Sequence, residues 1–376
     1  MDNFIMFWKS LGGNAYLLAV FLFVFIFHIV NLIYKSIVIC RKDNYPDRKT
    51  TEGVSVIITA NNRAEELQQN LPYFLNQDYP TFEVIVVDEC SEDHTQDVLA
   101  GMQVKYPRLK TTRIFPDTKF RNTKKLAINI GILAASNDIL LFSETDCRPL
   151  SNQWIRKMRN AFDEETGVVL AYANYAESER KVSFPRFFRF LRYLKMILLV
   201  KKGCYVLGDG RNMGYRKKLY LAEKGFSKNS QSYIGYDNEM VQALSARGKV
   251  RVVKEEQAAI EIKDPVAKTW KEDCLYYYVN KRRWNSTALL KANTDTFVIF
   301  IFYILGIFLI FNSIIQYYII LCIILVFLID FITINLYLRH RRQRKLFLTS
   351  LIVSSIGFLC RWYYHVYSIF MSKKWR

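Results

Sequence analysis

The sequence predicts an α/β domain joined to transmembrane α-helices. Residues 54–59 (VSVIIT) and 83–88 (EVIVVD) are short runs rich in Val and Ile, as buried parallel strands require. Residues 65–76, between them, carry apolar side chains at helical spacing. Strongly apolar segments stand before and after this region and have the composition of membrane helices.

The alternation of strands and helices continues along the chain, which predicts a helix over residues 123–135 and a strand over 138–143. In such sheets ligands collect beyond the carboxyl ends of the strands, so the residues there are the first candidates for nucleotide contacts. Taken singly, each is more typical of a solvated loop. The candidates are Ala60, Asn62 and Arg63 after the first strand, Asp88 ending the second, and Thr145 after the third.

The first apolar segment, residues 14–34, is long enough to cross a bilayer as a helix. It lacks the short apolar core and the cleavage site of a signal peptide, so we predict a retained anchor over residues 1–40. A soluble domain over residues 41–295 then follows, with the mixed composition of one globular domain.

The later apolar segments predict further membrane helices. Residues 296–338 are too long for one helix and are divided by Asn312 and Ser313, which predicts a transmembrane hairpin. Residues 339–376 contain a basic loop and a third, C-terminal hydrophobic segment, which either spans the membrane or lies along its surface.

Basic residues indicate the orientation, because short loops rich in Lys and Arg stay cytoplasmic. They follow the first helix and the hairpin, whereas the loop at Asn312 and Ser313 carries no charge. We therefore expect an integral protein of the cell (inner) membrane with a cytoplasmic soluble domain. The basic residues concerned are Arg41, Lys42, Arg48 and Lys49, then Arg339, Arg341, Arg342, Arg344 and Lys345.

The net charge of +19 does not indicate a nucleic-acid partner. The basic clusters flank membrane segments, where anionic lipid headgroups account for them, so we expect membrane lipids as partners and no nucleic acid. The seven cysteines form no CxxC pair, and in a reducing compartment we expect free thiols.

One acidic triplet is placed to hold a metal ion. Glu144 and Asp146 directly follow the strand at 138–143, and two carboxylates spaced this way can hold Mg²⁺ or Mn²⁺ against a diphosphate. Similar triplets elsewhere in the chain have no buried strand before them. Lys124 is near the start of the preceding helix, where a cation can meet phosphate oxygens. Asp88 ends the second strand, where it can contact a base or a ribose, or act as a turn residue.

These segments resemble the family 2 glycosyltransferases, which have the GT-A fold, a Rossmann-like mixed sheet flanked by helices. VSVIITANNR is similar to the family's first strand and loop, and EVIVVDECSEDHT to its second strand and turn. TKKLAIN resembles the GKAGALN segment and FSETDCRP the DxD motif. GDGRNMGYRK is similar to the acceptor-side segment.

The resemblance implies a role for several residues. Lys124 becomes the phosphate-side lysine, Glu144 and Asp146 the metal ligands, and Asp237 in GYDNEM the general base, with Glu239 as the fallback base. The family often has a second acid where this chain has Tyr236. The implied partners are a nucleoside-diphosphate sugar donor and a lipid-linked or saccharide acceptor.

Two further segments bear on the site. NKRRW at residues 280–284 resembles the QxxRW signature, with Asn280 in place of Gln, so Arg283 would approach the diphosphate and Trp284 would wall the acceptor site or anchor the chain at the interface. Residues 184–200 have the pattern of an amphipathic helix that lies on anionic lipid or packs against the domain.

The sequence thus favours a metal-dependent, inverting glycosyltransferase at the membrane. A processive polysaccharide synthase is the first alternative, since Asp330 inside the hairpin is a costly residue that could line a polar path. A catalytically inactive membrane scaffold is the second, given departures from the family pattern at Thr59, Glu89, Thr123, Glu144 and Asn280.

Overall fold

The structure is a computed structural model that describes residues 11–42, 45–47, 52–115, 123–177, 183–227, 235–263, 267–343 and 346–371. The chain divides into two compact units. One comprises the described parts of residues 1–41 and 285–360, and the other those of 42–284 and 361–376. The first helix of the predicted hairpin begins at Ser286, ten residues before the predicted start at residue 296. The second segment of the smaller unit therefore begins at residue 285.

The larger unit contains a mixed α/β domain. Its strands are β1 (Val54–Ala60), β2 (Phe82–Glu89), β3 (Leu109–Ile114), β4 (Ile139–Glu144), β5 (Cys147–Pro149), β6 (Thr166–Ala171), β7 (Ala173–Tyr175), β8 (Met213–Arg216), β9 (Lys249–Val253) and β10 (Ile260–Ile262). Its helices are α2 (Ala64–Leu75), α3 (Thr95–Lys105), α4 (Thr123–Ala134), α5 (Trp154–Asn160), α6 (Ser183–Lys201), α7 (Lys217–Ala222), α8 (Asn238–Ser245) and α9 (Ala267–Lys281).

A seven-stranded sheet in the order β3-β2-β1-β4-β8-β6-β9 forms the centre of this domain. The strands are parallel except for β8, which runs antiparallel to both β4 and β6. A second sheet of three strands has the order β5-β10-β7. The predicted strands at 54–59, 83–88 and 138–143 are confirmed as β1, β2 and β4, with ends that differ by one residue.

The reversed strand β8 decides which segments meet at the carboxyl edge of the sheet. Because β8 is antiparallel to β4, its first residue Met213 pairs with Phe142 near the end of β4. The chain that enters β8, residues 207–212, therefore lies beside the residues that leave β4. A hydrogen bond of 3.0 Å from Ser143 Oγ to the Arg211 carbonyl oxygen fixes the two segments to each other.

Asn212 anchors the entry to β8 in the core. Its side chain is fully buried, and its Nδ2 donates to the carbonyl oxygens of Tyr172 at 2.7 Å and Ala258 at 2.8 Å. Its Oδ1 accepts a hydrogen bond of 3.1 Å from the indole Nε1 of Trp154, which is itself fully buried and packs edge-on against Phe74. One side chain thus joins the link between β6 and β7, the 3₁₀ turn before β10 and helix α5.

Helix α6 covers the predicted amphipathic segment 184–200, and it packs on the domain core. Phe187 and Phe190 are almost fully buried, and the side chains of Arg186 and Arg189 are buried as well. Arg189 is paired with two carboxylates inside the domain. Acidic partners within the domain explain how these arginines can be buried. The structure therefore supports packing of this helix against the domain rather than on anionic lipid.

The smaller unit contains three helices that are long and apolar enough to cross a membrane, as found among the described residues. They are α1 (Asn14–Cys40), α10 (Ser286–Ile310) and α11 (Gln316–His340). The turn between α10 and α11 includes Asn312 and Ser313, where the hairpin was predicted. Phe21 of α1 stacks on Phe302 of α10 with ring centroids 4.7 Å apart. The last apolar segment forms helix α12 (Phe347–Met371).

Polar residues inside the apolar helices pair with one another. His28 Nε2 of α1 lies 3.0 Å from Asp330 Oδ1 of α11. Asp295 of α10 has two partners on α1. Its Oδ1 accepts a hydrogen bond of 2.6 Å from Asn31 Nδ2, and its Oδ2 forms an ion pair of 2.8 Å with Lys35 Nζ. These contacts between helices satisfy groups that would be costly to expose to hydrocarbon.

We predict that Asn212→Leu destabilises the protein by about 3 kcal/mol or more. The leucine fits a similar volume but removes all three hydrogen bonds of Asn212, and it leaves the buried indole N–H of Trp154 without that partner. Thermal or denaturant unfolding of the full chain in detergent micelles measures the change. The exposed Asn152→Leu serves as the matched control and is expected to unfold as the wild type does.

Candidate active site

A cavity of about 460 Å³ opens at the carboxyl edge of the large sheet. The segments that form it come from β1, β4, the entry to β8, the start of α8, and helices α4, α6 and α9. Glu144, Asp146, Lys124 and Asp237 all line this one cavity. The sheet topology therefore brings together residues that are more than one hundred positions apart in the chain.

The acidic pair lies where two neighbouring parallel strands end. Glu144 is the last residue of β4 and is in register with Thr59 of β1, and Asp146 follows two residues later. Glu144 Oε2 lies 3.8 Å from Arg211 Nη2, and Asp146 Oδ2 lies 3.7 Å from the same atom. The two carboxylates thus converge on one point in space.

Glu144 has two further partners in the cavity. Lys124 Nζ lies 3.1 Å from Glu144 Oε1, and the Tyr236 hydroxyl donates to that same oxygen at 2.9 Å. Burial of the carboxyl opposes its ionisation, but the charges of Lys124 and Arg211 together with the hydrogen bond from Tyr236 outweigh it and lower the pKa of Glu144 to about 2. Glu144 is therefore ionised at any physiological pH.

Arg211 joins the acidic pair to a second group of charges. Its Nη1 lies 3.8 Å from Asp273 Oδ1 of helix α9. Asp273 also pairs with Arg189 at 2.8 Å and Arg192 at 3.2 Å, both of helix α6, and Arg189 pairs in turn with Asp209. Burial opposes the ionisation of Asp273, but the three guanidinium groups hold the pKa of this carboxyl well below its usual range.

Asp237 is a buried carboxyl at the start of helix α8. Its Oδ1 accepts hydrogen bonds from the backbone N–H of Asn238 at 2.6 Å and from the Tyr276 hydroxyl at 2.5 Å. Burial raises the pKa of Asp237 to about 6, and these hydrogen bonds limit the rise. Above that pH, the group is an ionised carboxylate with more basicity than an exposed aspartate.

The donor atoms of the acidic pair fit a hard divalent cation. Both residues offer carboxylate oxygens, which Mg²⁺ and Mn²⁺ prefer, and both approach a single cationic nitrogen. No group of three or more His, Cys, Asp or Glu residues that could hold a metal occurs within the described ranges. A metal held by Glu144 and Asp146 would thus take its remaining ligands from phosphate and water, as Mg²⁺ commonly does.

The structure places only part of the predicted nucleotide contacts in the cavity. Arg63, Thr145 and Lys124 line it. Ala60, Asn62 and Asp88 do not belong to its lining.

Asn62 and Asp88 instead hold the loops after β1 and β2. Asn62 has a φ of +53°, its backbone N–H donates to Ser91 Oγ, and its Oδ1 accepts from the backbone N–H of Glu92. Asp88 is buried, with one oxygen bonded to the Ser91 N–H at 3.0 Å and the other to Gln96 Nε2 at 3.1 Å. Asp88 Oδ2 also lies 3.6 Å from Arg113 Nε of β3. The contact of either residue with a nucleotide stays a prediction.

Glu239, Arg283 and Trp284 form a group outside the cavity lining. Arg283 Nη1 pairs with Glu239 Oε1 at 2.5 Å. Trp284 is buried and packs edge-on against Tyr277, whose ring does line the cavity. Asn280, the first residue of NKRRW, lines the cavity as well. The segment therefore contributes Asn280 to the cavity lining, and its Trp284 packs against a lining residue, Tyr277.

The sequence assigned no role to several residues of the site. Asp209 and Arg211 lie in GDGRNMGYRK, which the resemblance marked only as a segment, and Asp273 lies in a segment with no motif. Only the three-dimensional structure shows that Asp273 pairs with Arg211 and that Arg189 links Asp273 to Asp209. Tyr236 had one available signal, since it stands where the family often has an acid, and its hydroxyl does meet Glu144.

Comparison with known proteins agrees with this geometry. Residues 55–221 match the family described as glycosyl transferase family 2. The chain is 35% identical over 110 residues to the glycosyltransferase AglE of Haloferax volcanii, a match that covers 29% of this chain and 34% of AglE. It is 25% identical over 100 residues to a poly-beta-1,6-N-acetyl-D-glucosamine synthase of Staphylococcus epidermidis, which covers 27% of this chain and 23% of that enzyme. The matches thus span about a third or less of these relatives.

One solved structure shares the fold along most of the chain. It is the mannosyltransferase PcManGT of Pyrobaculum calidifontis in complex with GDP-Man and Mn²⁺, with a TM-score of 0.52 and 15% identity, covering 89% of this chain and 98% of that one. The likeness confirms the predicted GT-A fold.

We predict that Glu144→Gln lowers the stability of the protein in a pH-dependent way. Because the folded-state pKa of Glu144 is about 2, below its ordinary 4.5, its ionised form contributes stability above about pH 4.5 that is lost as the pH falls toward 2. The variant should unfold several degrees below the wild type at pH 6, and the difference should shrink near pH 3. Thermal unfolding followed by tryptophan fluorescence measures it.

The exposed Glu165→Gln is the control for that comparison, since Glu165 pairs only with Lys249 at the surface of the described structure. A difference between wild type and Glu144→Gln that stays constant from pH 6 to pH 3 would contradict the proposed ionisation of Glu144.

Proposed function

We propose that this chain, a member of glycosyl transferase family 2, transfers a sugar from a nucleoside-diphosphate donor to a saccharide or lipid-linked acceptor with inversion at the anomeric carbon. The observation that carries the proposal is that a buried carboxyl of raised pKa, Asp237, lines the same cavity as the acidic pair and Lys124. An acceptor base and a diphosphate site are thus adjacent. The donor class follows that of PcManGT, which has the same fold and holds GDP-Man.

The donor's diphosphate lies on the side of the acidic pair. A divalent cation held by Glu144 and Asp146 would neutralise negative charge on the leaving nucleoside diphosphate. Lys124 adds a positive charge beside Glu144, in position to meet phosphate oxygens. Arg63 and Thr145 line the same cavity and bound the space for the rest of the nucleotide.

The acceptor is activated on the side of Asp237. Its carboxylate takes the proton of an acceptor hydroxyl while the acceptor oxygen bonds to the anomeric carbon. The bond from that carbon to the diphosphate oxygen breaks, and the nucleoside diphosphate leaves with the electron pair. Attack opposite the leaving group inverts the configuration. A base with a pKa near 6 suits this step, because the hydroxyl loses its proton only as the new bond forms.

The transferase is held at the membrane in this proposal. Helices α1, α10 and α11 have the length and composition of transmembrane helices, and the basic residues that follow α1 and α11 orient the catalytic domain toward the cytoplasm. Such a location would give the site access to acceptors carried by lipid.

A processive synthase is the second candidate, favoured by the match to the poly-beta-1,6-N-acetyl-D-glucosamine synthase. Against it, Asp330, the residue suited to line a polar path, lies 3.0 Å from His28 of the neighbouring helix. Chain-length analysis of the product separates the two candidates, because addition of one sugar per acceptor excludes a polymerase. The scaffold alternative predicts no metal-dependent binding of nucleotide, which calorimetric titration with UDP or GDP and Mn²⁺ tests.

We predict that two substitutions, which both abolish turnover, differ in their effect on nucleotide binding. Asp146→Asn should abolish turnover and weaken nucleotide binding, because it removes a metal ligand. Asp237→Asn should abolish turnover and leave nucleotide affinity nearly unchanged, because it removes only the base. Initial rates and calorimetric titration with nucleotide and Mn²⁺ measure both effects. An equal loss of affinity in the two variants would show that these roles are misassigned.

We predict that activity falls on the acidic side of about pH 6. Asp237 accepts a proton only when ionised, so kcat/KM should drop about tenfold per pH unit below its pKa of about 6. Tyr276→Phe removes a hydrogen bond that lowers this pKa, so the acidic limb should move to higher pH. The pH profile of kcat/KM measures the shift.

Tyr45→Phe is the matched control, since the Tyr45 hydroxyl donates to the Val252 carbonyl away from the cavity. An acidic limb that stays in place in Tyr276→Phe, or moves equally in both variants, would rule out Asp237 as the titrating base.

A further inference from the structure

We propose that Arg211 is a built-in counter-cation of the acidic pair, which keeps free divalent metal out and makes metal binding depend on the donor's diphosphate. The inference rests on the proposed function, because it concerns the same site. It assigns a task to a residue of the GDGRNMGYRK segment that lies next to the acidic pair in space and far from it in the chain.

The position of Arg211 suits a counter-cation. Its Nη2 is 3.8 Å from Glu144 Oε2 and 3.7 Å from Asp146 Oδ2, so it is equidistant from both carboxylates. These distances lie within ion-pair range and beyond hydrogen-bond range. The guanidinium therefore neutralises the pair electrostatically without using the oxygen lone pairs that a metal needs.

The charges of the acidic pair are cancelled by the cations that pair with it. Glu144 and Asp146 carry two negative charges, and Lys124 and Arg211 carry two positive ones. The ion pairs attached to Arg211 through Asp273 cancel in the same way, with Asp273 and Asp209 against Arg189 and Arg192. With its charge balanced by Lys124 and Arg211, the acidic pair offers a bare divalent cation less attraction to offset its loss of hydration. The other charged residues of the cavity lining, Asp237, Glu89, Glu272 and Arg63, are not among these partners of the acidic pair.

A metal ion that binds together with the donor brings a smaller net charge into the site than a bare metal ion does. The diphosphate of a nucleoside-diphosphate sugar carries about two negative charges, so its complex with one divalent cation is close to neutral and adds little net charge beside an acidic pair that Lys124 and Arg211 already balance. Arg211 lines the cavity, and its Nη2, beside the acidic pair, is the donor that a diphosphate oxygen would meet.

Arg211 is held in place by its surroundings. Its carbonyl oxygen is bonded to Ser143 Oγ, the neighbouring Asn212 is fixed in the core, and Asp273 draws the guanidinium from the opposite side. The residue thus remains beside the acidic pair when no ligand is bound.

The test is Mn²⁺ binding to the full chain in detergent micelles, followed by the electron paramagnetic resonance signal of free Mn²⁺. Wild type should bind Mn²⁺ weakly alone and tightly with UDP or GDP. Arg211→Met leaves the acidic pair with one uncompensated negative charge, so Mn²⁺ alone should bind roughly tenfold more tightly. The increase in Mn²⁺ affinity that nucleotide causes should then be smaller than in the wild type. Arg211→Lys keeps the charge and should resemble the wild type.

The control is Arg247→Met, which removes an arginine that pairs with Glu223 outside the cavity and should leave Mn²⁺ affinity unchanged. If Arg211→Met does not fold, as judged by circular dichroism, Lys124→Met removes the other positive charge and should also tighten binding of Mn²⁺ alone. Unchanged or weaker Mn²⁺ binding in the folded variant overturns the inference.

The same titration separates this inference from the proposed function. Wild-type protein that binds no Mn²⁺ even with either nucleotide contradicts the metal-dependent transferase itself. Wild-type protein that binds Mn²⁺ tightly without nucleotide contradicts only the role of Arg211.

Discussion

The buried ion-pair network around Arg211 is the interaction on which the rest of the site depends. It joins the acidic pair at the end of β4 to Asp273 of helix α9, and through Asp273 to the arginines of helix α6. Buried charges are costly to hold unless they are paired, so each member requires the others to stay in place. The network thereby fixes the walls of the cavity relative to one another before any ligand binds.

The network exists because one strand is reversed. A strand parallel to β4 would enter the sheet at its opposite edge and would carry the residues before it away from Glu144. Since β8 is antiparallel, Arg211 and Asp209 arrive where β4 ends. The mixed sheet therefore puts the acidic pair and the segment that enters β8 in one cavity, and the buried Asn212 holds the reversed segment against the core. The transferase chemistry that we propose follows from this juxtaposition.

Polar groups in the apolar helices α1, α10 and α11 pair with one another, as the charges in the cavity do. His28 and Asp330 lie on different helices and pair with each other, and Asn31 and Lys35 share Asp295. A residue that looks like a pore lining in the sequence can thus be a contact between helices. In hydrocarbon, such a contact contributes specificity to helix packing because an unpaired polar group there is strongly disfavoured.

The sequence by itself determined the parts of this protein that depend on neighbours in the chain. The strands at β1, β2 and β4 and the apolar helices are visible as local patterns, and Glu144, Asp146 and Lys124 could be chosen because each adjoins such an element. Only the tertiary structure decided that Asp88 is bonded to the turn after β2, that Arg211 lies beside the acidic pair, and that Asp273 pairs with Arg211. The reason is physical: period and composition report what one element buries, whereas an ion pair between distant segments depends on strand order and direction, which no local pattern encodes.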